Sequence, residues 1–153
     1  SKSVITATDI SDQACALVHK NIAHNNVNNV KVIKTDLFDG LPYNQYDVIV
    51  VNPPYIAVDE LHVMDSMVTK WEDHRALFAD DNGLDLIKKI IYHAHRYLKK
   101  DSLIVPQVWI EIGYKQGPTV QTLLENAGFK ASIYQDSLGN DRVAVGQLMF
   151  GEK

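Results

Sequence analysis

The residues with the clearest chemical use lie in the stretch YDVIVVNPPYIAVDE, where Asn52, Pro53, Pro54 and Tyr55 follow an apolar run. Proline has no backbone N–H, and its ring holds φ near −65°. Two prolines in succession make a rigid, extended bend and leave carbonyls that no neighbouring strand uses. The side-chain oxygen of Asn52 and the carbonyl of Pro53 can then act as paired acceptors. Such a pair suits a planar NH2 group, both of whose protons need partners, and the ring of Tyr55 can lie against the plane of that group. Asn52, Pro53 and Tyr55 are the candidate catalytic residues. Asn52, Pro53, Pro54 and Tyr55 are the candidate substrate-binding set.

Planar amide and aromatic amine nitrogens are weak nucleophiles, because their lone pairs are delocalised. Holding both protons aims the nitrogen at an electrophile, and alignment of this kind lowers a barrier by about 7–11 kcal/mol in the best cases. A sulfonium methyl donor fits, since it needs in-line approach and no ionised base before transfer. Two further acids suggest where such a donor would sit. In open α/β sheets, ligands bind beyond the carboxyl ends of the strands, and three strands here end in Asp9, Asp36 and Asn52. A carboxylate just past a strand can accept from two ribose hydroxyls, and one a strand further along can accept from an adenine amino group. Either acid alone reads as an ordinary turn residue. The pair gains weight from the Asn-Pro-Pro-Tyr segment.

The elements that must position these residues follow from periodicity. SVITATD reads as a strand ending at Asp9. Ser11 caps a helix with Ala14, Leu17, Val18 and Ile22 on one face. VNNVKVIKTD gives a turn and a strand ending at Asp36, and LFDGLPYNQ is loop. YDVIVV reads as a central parallel strand covered on both faces. Residues 52–82 are polar, poorly periodic and long for a loop, a length usually tied to function. GLDLIKKIIYHAHRYLKK is an amphipathic helix with Leu84, Ile87, Ile91, Ala94 and Leu98 in one stripe. Pro106 interrupts SLIVPQVWIEIG and leaves Val108 to Ile112 as strand. KQGPTVQTLLENAGF is a helix, with Pro118 near its start and Gly128 at its end. KASIYQD and DRVAVGQLMF close the chain as two strands that pair antiparallel. Alternating strands and helices imply an α/β fold with a mostly parallel sheet.

Composition narrows the function classes. The chain has 153 residues, 46% hydrophobic and 22% charged, with a formal net charge of −4. Nucleic-acid binders usually carry a basic patch. The only dense basic cluster, Lys88, Lys89, His95, Arg96, Lys99 and Lys100, has the spacing of a solvated helix face. A single cysteine, Cys15, excludes an internal disulfide framework and reads as a small apolar helix residue. No apolar run reaches the roughly 20 residues of a membrane span. His93 and His95 face different sides of a helix, and His62 and His74 lack metal-motif partners, so no metal is expected. No Ser-His-Asp spacing or phosphate loop is present.

With these residues in view, VVNPPY resembles the motif of S-adenosyl-L-methionine-dependent methyltransferases acting on planar nitrogens. These include adenine amino-methyltransferases and the HemK/PrmC protein glutamine methyltransferases. WEDHRALFADDNGLDLIKKII resembles the HemK stretch of a glutamate, an Ala-Leu pair and a DGL before a helix. WIEIGYKQG is similar to that family's E-x-G strand with its following QG, and LGNDRVAVGQ to its terminal DRV hairpin. The resemblance covers almost the whole chain. It implies a Rossmann-like class I methyltransferase sheet and S-adenosyl-L-methionine as cofactor, with Asp9 on the ribose. Asp36 and Leu37 would flank the adenine. Asn52 would border the cofactor and, with the Pro53 carbonyl, hold a glutamine amide in a pocket lined by Tyr55. Glu72 and Glu111 would support the loop and a strand end. The implied reaction is N5-methylation of the Gly-Gly-Gln glutamine of a class 1 peptide chain release factor, a step serving translation termination. A ribosomal-protein glutamine, an adenine amino group, or a non-catalytic binding module are the other readings.

The family's glycine-rich strand-to-helix turn and its N-terminal helical domain have no counterpart here. The expectation is therefore a partial catalytic domain over residues 1–153, with the first strand of the sheet missing. Such a fragment would fold and bind cofactor poorly alone, because unpaired central backbone groups cost about 1–3 kcal/mol each when buried. The expected compartment is the cytoplasm or the mitochondrial matrix, with no membrane partner.

Overall fold

The computed structural model describes residues 3–57 and 78–149. The chain divides into two compact units, residues 1–42 and 43–153. The first is a β-α-β unit of β1 (Ile5–Asp9), α1 (Asp12–His24) and β2 (Val30–Lys34). The two strands pair in parallel, with Ile5 opposite Val30 and Asp9 opposite Lys34. Ser11 caps α1 as its sequence position predicts, with extended backbone and a side chain that accepts the Ala14 N–H at 3.3 Å. Asp12 in the first turn favours the helix dipole and pairs with Lys34 at 2.6 Å. The expected apolar face needs one correction. Ala14, Val18 and Ile22 are half-buried, Leu17 is 58% exposed, and the buried residue is Cys15.

The second unit holds the larger core. Its elements are β3 (Ile49–Val51), β4 (Ile56–Ala57), β5 (Phe78–Ala79), α2 (Asp80–Gly83), α3 (Asp85–Tyr97), β6 (Val108–Glu111), α4 (Gly117–Asn126), β7 (Phe129–Gln135) and β8 (Asp141–Leu148). Four strands form one sheet in the order β3-β6-β8-β7. The β3–β6 pair is parallel, and β8 runs antiparallel to both β6 and β7. The expected parallel pairing with a closing antiparallel hairpin is thus present. Gln107, just before β6, bonds to the two strands on either side, β3 and β8. Its carbonyl accepts from Ile49, its N–H donates to Gly146, and its buried amide oxygen accepts from Leu148 at 2.9 Å.

The α3 stripe buries Ile87, Ile90, Ile91, Ala94 and Tyr97, with Leu98 just beyond the helix. Ile90 and Tyr97 extend the face read from the sequence, while Leu84 is only half-buried. Each large side chain so buried contributes about 1.5–3 kcal/mol. Val120 and Leu124 of α4 and Ile110 and Ile112 at β6 complete this core. The helix charges are matched locally: Lys88 pairs with Asp81, Lys89 with Asp85 at 2.8 Å, and Lys99 with Asp47 at 2.7 Å. Arg96 sits 5.8 Å from the centroid of the Tyr92 ring. Three of the six basic residues, Lys88, Lys89 and Lys99, are thus ion-paired, and the cluster is a solvated helix face.

Two expectations are corrected. YDVIVV is expected to be covered on both faces, yet among the described residues β3 pairs with β6 and Val50 is 74% exposed. Hydrophobicity registers a residue's preference for burial, whereas strand order depends on partners elsewhere in the chain. The stretch 52–82, read as one loop, contains β4, β5 and α2 at its ends, with β4 and β5 parallel. Residues 58–77, which include His62, Glu72 and His74, lie outside the described residues.

Candidate functional site

Within the first unit, Asp9 and Asp36 stand at the carboxyl ends of adjacent parallel strands. Both side chains are exposed. One oxygen of Asp9 accepts the Ser11 N–H at 2.8 Å, which orients the carboxylate and leaves its other oxygen available. The Asp9 carbonyl accepts the Thr35 N–H at 3.0 Å and carries the parallel ladder up to Asp36. Asp36 lies two residues past β2, at the start of a turn closed by the Asp39 N–H on its carbonyl at 3.0 Å. Its carboxylate takes no hydrogen bond or ion pair from the described residues. Leu37 follows with φ at +46°, a left-handed conformation uncommon for a non-glycine residue, and is half-buried. Sequence pattern located both acids, but it carried no signal for the turn that places Leu37.

Within the second unit, Asn52 leaves β3 fully exposed, Pro53 is buried, and Pro54 and Tyr55 are half-buried. Neither the Asn52 side chain nor the Pro53 carbonyl is hydrogen-bonded among the described residues. Both acceptors inferred from the sequence are therefore uncommitted. Tyr55 is held firmly. Its hydroxyl donates to Glu111 Oε1 at 3.1 Å, and its carbonyl accepts from Gln116 Nε2 at 3.0 Å. Gln116 Oε1 in turn accepts the Gly113 N–H at 2.8 Å. Two glycines make room for this arrangement. A Cβ on Gly83, where φ is +77°, would fall 2.0 Å from the Tyr55 carbonyl oxygen. One on Gly113 would lie 3.2 Å from Gln116 Oε1 and 3.5 Å from Tyr55 Cδ2.

The segments that resemble HemK sequences thus meet at Tyr55 or beside it. NGL supplies Gly83, and EIGYKQG supplies Glu111, Gly113 and Gln116. Gly117 adjoins the hairpin, since a Cβ there would lie 2.0 Å from Asp141 Oδ2 of the DRV motif. A carboxylate beside the first turn of α4 also suits the helix dipole. Asp136 orders the hairpin turn by accepting the N–H groups of Leu138 and Asn140 and pairing with Arg142 at 3.2 Å. These bonds, the Asn140 N–H first, hold its carboxyl below the ordinary value. Glu111, Gln116 and the glycines all stand in the motif letters of the sequence, but the letters alone do not give Gln116 its two bonds to Tyr55 and Gly113. Its spacing three residues past Gly113 was the available signal.

A groove of about 470 Å³ on α3 and α4, lined by Ile91, Tyr92, His93 and Leu123, contains none of these site residues. Among the described residues no cluster of three or more His, Cys, Asp or Glu could hold a metal ion. Among them, too, no helix is long and apolar enough to cross a membrane.

The strand order, the acids at strand ends and the Asn-Pro-Pro-Tyr exit define a class I methyltransferase fold. Residues 1–77 match the family model of the methyltransferase small domain, and the chain belongs to that family. It is 39% identical over 141 residues to a release factor glutamine methyltransferase of Lactococcus lactis, covering 91% of this chain and 50% of the relative. A ribosomal protein uL3 glutamine methyltransferase of Xanthomonas campestris is 41% identical over 104 residues, covering 68% of this chain and 33% of the relative. The chain spans about half the length or less of these curated relatives. Among solved structures, a ribosomal protein L11 methylase from Lactobacillus delbrueckii superposes with a TM-score of 0.64 at 21% identity. That match covers 97% of this chain and 60% of the other. A methyltransferase from Pyrococcus furiosus gives 0.61 at 16% identity, covering 95% and 64%. The HemK/PrmC resemblance is borne out, and a methyltransferase domain calls for a methyl donor, S-adenosyl-L-methionine on that resemblance. The residues present fit it, since two exposed carboxylates at adjacent strand ends suit hydroxyl and amino donors.

Proposed function

We propose that the protein methylates the side-chain amide nitrogen of a protein glutamine, and that its substrate is the Gly-Gly-Gln glutamine of a class 1 peptide chain release factor. Residues 1–153 are, on this reading, part of the catalytic domain. The observation that carries it is the pair of uncommitted acceptors, the Asn52 side chain and the Pro53 carbonyl, at the exit of β3. The names and similarity of the curated relatives support the same reading.

When bound, S-adenosyl-L-methionine supplies an electrophilic methyl group. Asn52 and the Pro53 carbonyl accept the two protons of the glutamine NH2 and fix the direction of its nitrogen. Tyr55, anchored through its hydroxyl, walls the amide plane. Asp9 would hold the ribose hydroxyls, while Asp36 and Leu37 would flank the adenine. Forming the N–C bond would break the sulfonium S–CH3 bond and leave a neutral thioether, and the methylated nitrogen would lose its extra charge as one proton to water, so no residue need be ionised as a base beforehand.

The test is transfer of label from S-adenosyl-L-methionine by the full-length protein. Label is expected on the Gly-Gly-Gln glutamine, with Asn52→Ala slowing transfer by about 100-fold, as loss of a positioning contact does. Label on uL3 but not on a release factor would keep the chemistry and change the substrate, an outcome that the Xanthomonas relative makes specific. Label on nucleic acid alone, or on nothing, would overturn the proposal.

A further inference from the structure

We infer that Gln116 is a positioning residue that sets the Asn52–Tyr55 turn for amide recognition. Its effect on rate rests on the glutamine-methyltransferase reading; the contacts that define it do not. One planar amide does two jobs. Oε1 accepts the Gly113 N–H at 2.8 Å, which ties the side chain to the segment just past β6. Nε2 donates to the Tyr55 carbonyl at 3.0 Å. The Gly83 backbone lies against that same carbonyl, close enough that a Cβ would fall 2.0 Å from its oxygen. Glu111 holds the far end of the residue through the phenol. Tyr55 is thus fixed at its carbonyl and its hydroxyl by α2, the end of β6 and the start of α4.

The consequence for Asn52 follows from the residues in between. Pro53 and Pro54 each have φ locked by a ring. A displacement of Tyr55 is therefore passed along two stiff residues to the Pro53 carbonyl and Asn52 instead of being absorbed in a flexible loop. Glutamine is the side chain that meets both demands. A carboxylate offers acceptors only and would face the Tyr55 carbonyl with oxygen, whereas leucine keeps the bulk and lacks both bonds.

The test compares Gln116→Leu and Gln116→Glu with wild type in the full-length protein. Hydrogen exchange at the Gly113 amide should quicken by about 10-fold in Gln116→Leu, which lacks the acceptor. It should stay slow in Gln116→Glu, which keeps it. The fluorine resonance of 3-fluorotyrosine at position 55, assigned with Tyr55→Phe, should shift in both variants. Glutamine methylation should lose about 10- to 100-fold in kcat in both, with cofactor affinity, which Asp9 and Asp36 dominate, changing far less. Unchanged Gly113 exchange and an unmoved Tyr55 resonance in Gln116→Leu would overturn the inference. So would a moved resonance with wild-type kcat. If the wild-type protein methylates no glutamine, the proposed function fails separately, and the exchange and fluorine readouts still decide whether Gln116 holds Tyr55.

Discussion

Replacing Gly83 with alanine separates a conformational cost from a positional one. Gly83 and Gly128 both have positive φ, at +77° and +86°. Alanine in that region costs roughly 1–2 kcal/mol at either site. The surroundings differ. Nothing lies within 4 Å of a Cβ at Gly128, but one at Gly83 would meet the Tyr55 carbonyl oxygen at 2.0 Å and its carbon at 2.5 Å. Real Cβ contacts essentially never fall under 3.0 Å, so the Tyr55 carbonyl must retreat by about 1 Å. A 1 Å misplacement of a positioned group costs about 100-fold in rate, or about 2.7 kcal/mol at 1.36 kcal/mol per tenfold. Gly128→Ala should lose stability in a urea melt and keep wild-type kcat. Gly83→Ala should lose at least as much stability and about 100-fold in kcat for glutamine methylation. Equal kcat values in two folded variants would refute the reasoning, because they would mean that the short helix α2 yields and the Tyr55 turn does not.

Asp9→Ala should weaken cofactor binding by about 10- to 100-fold in calorimetry, the effect of losing one or two hydrogen bonds to a charged acceptor, while leaving the circular dichroism spectrum intact. Ile87→Ala empties a fully buried site on α3 and should cost about 2–5 kcal/mol in urea unfolding. Asp47 and Asp136 set an acid limit. The Lys99 hydrogen bond on Asp47 and the Asn140 N–H on Asp136 depress both carboxyls below the ordinary 3.8. A depressed folded-state value contributes stability above the unfolded value and loses it as pH falls through the folded one. Unfolding midpoints should therefore drop as pH falls below about 4, and Asp136→Asn should flatten part of that slope.

The four motif segments have distinct physical jobs. Asn52 and the Pro53 carbonyl are the open acceptors, and two of the other segments hold Tyr55, three residues past Asn52. Gly83 is required by close approach to a carbonyl, Gly113 by contact with Gln116, and Gly117 by the carboxylate of Asp141. Gln116 and Glu111 hold the two ends of Tyr55. Of these, Gly83, Gly113, Gln116 and Glu111 neighbour Tyr55 directly, whereas Gly117 faces the hairpin.

Local order was legible in the chain itself. Ser11 as a cap, the α3 stripe, Pro118 and Gly128 at the ends of α4 and the closing hairpin all follow from interactions within a few residues, where periodicity and capping chemistry decide. The open acceptors at Asn52 and Pro53 were readable too, because proline rigidity is a property of the residue. Other features were decided only by tertiary structure. The insertion of β8 between β6 and β7 and the pairing of β3 with β6 depend on which strands meet across long stretches of chain. The hold on Tyr55 joins residues up to 61 positions apart. On α1 the buried place fell to Cys15, whose thiol reaches the carbonyl of Asp9 at the end of β1, and not to Leu17 of the helical stripe. Sequence alone thus named the groups that could bind a planar amide. The long-range contacts that hold them in one geometry required the folded chain, since a glycine or glutamine acquires such a role only from what lies against it in space.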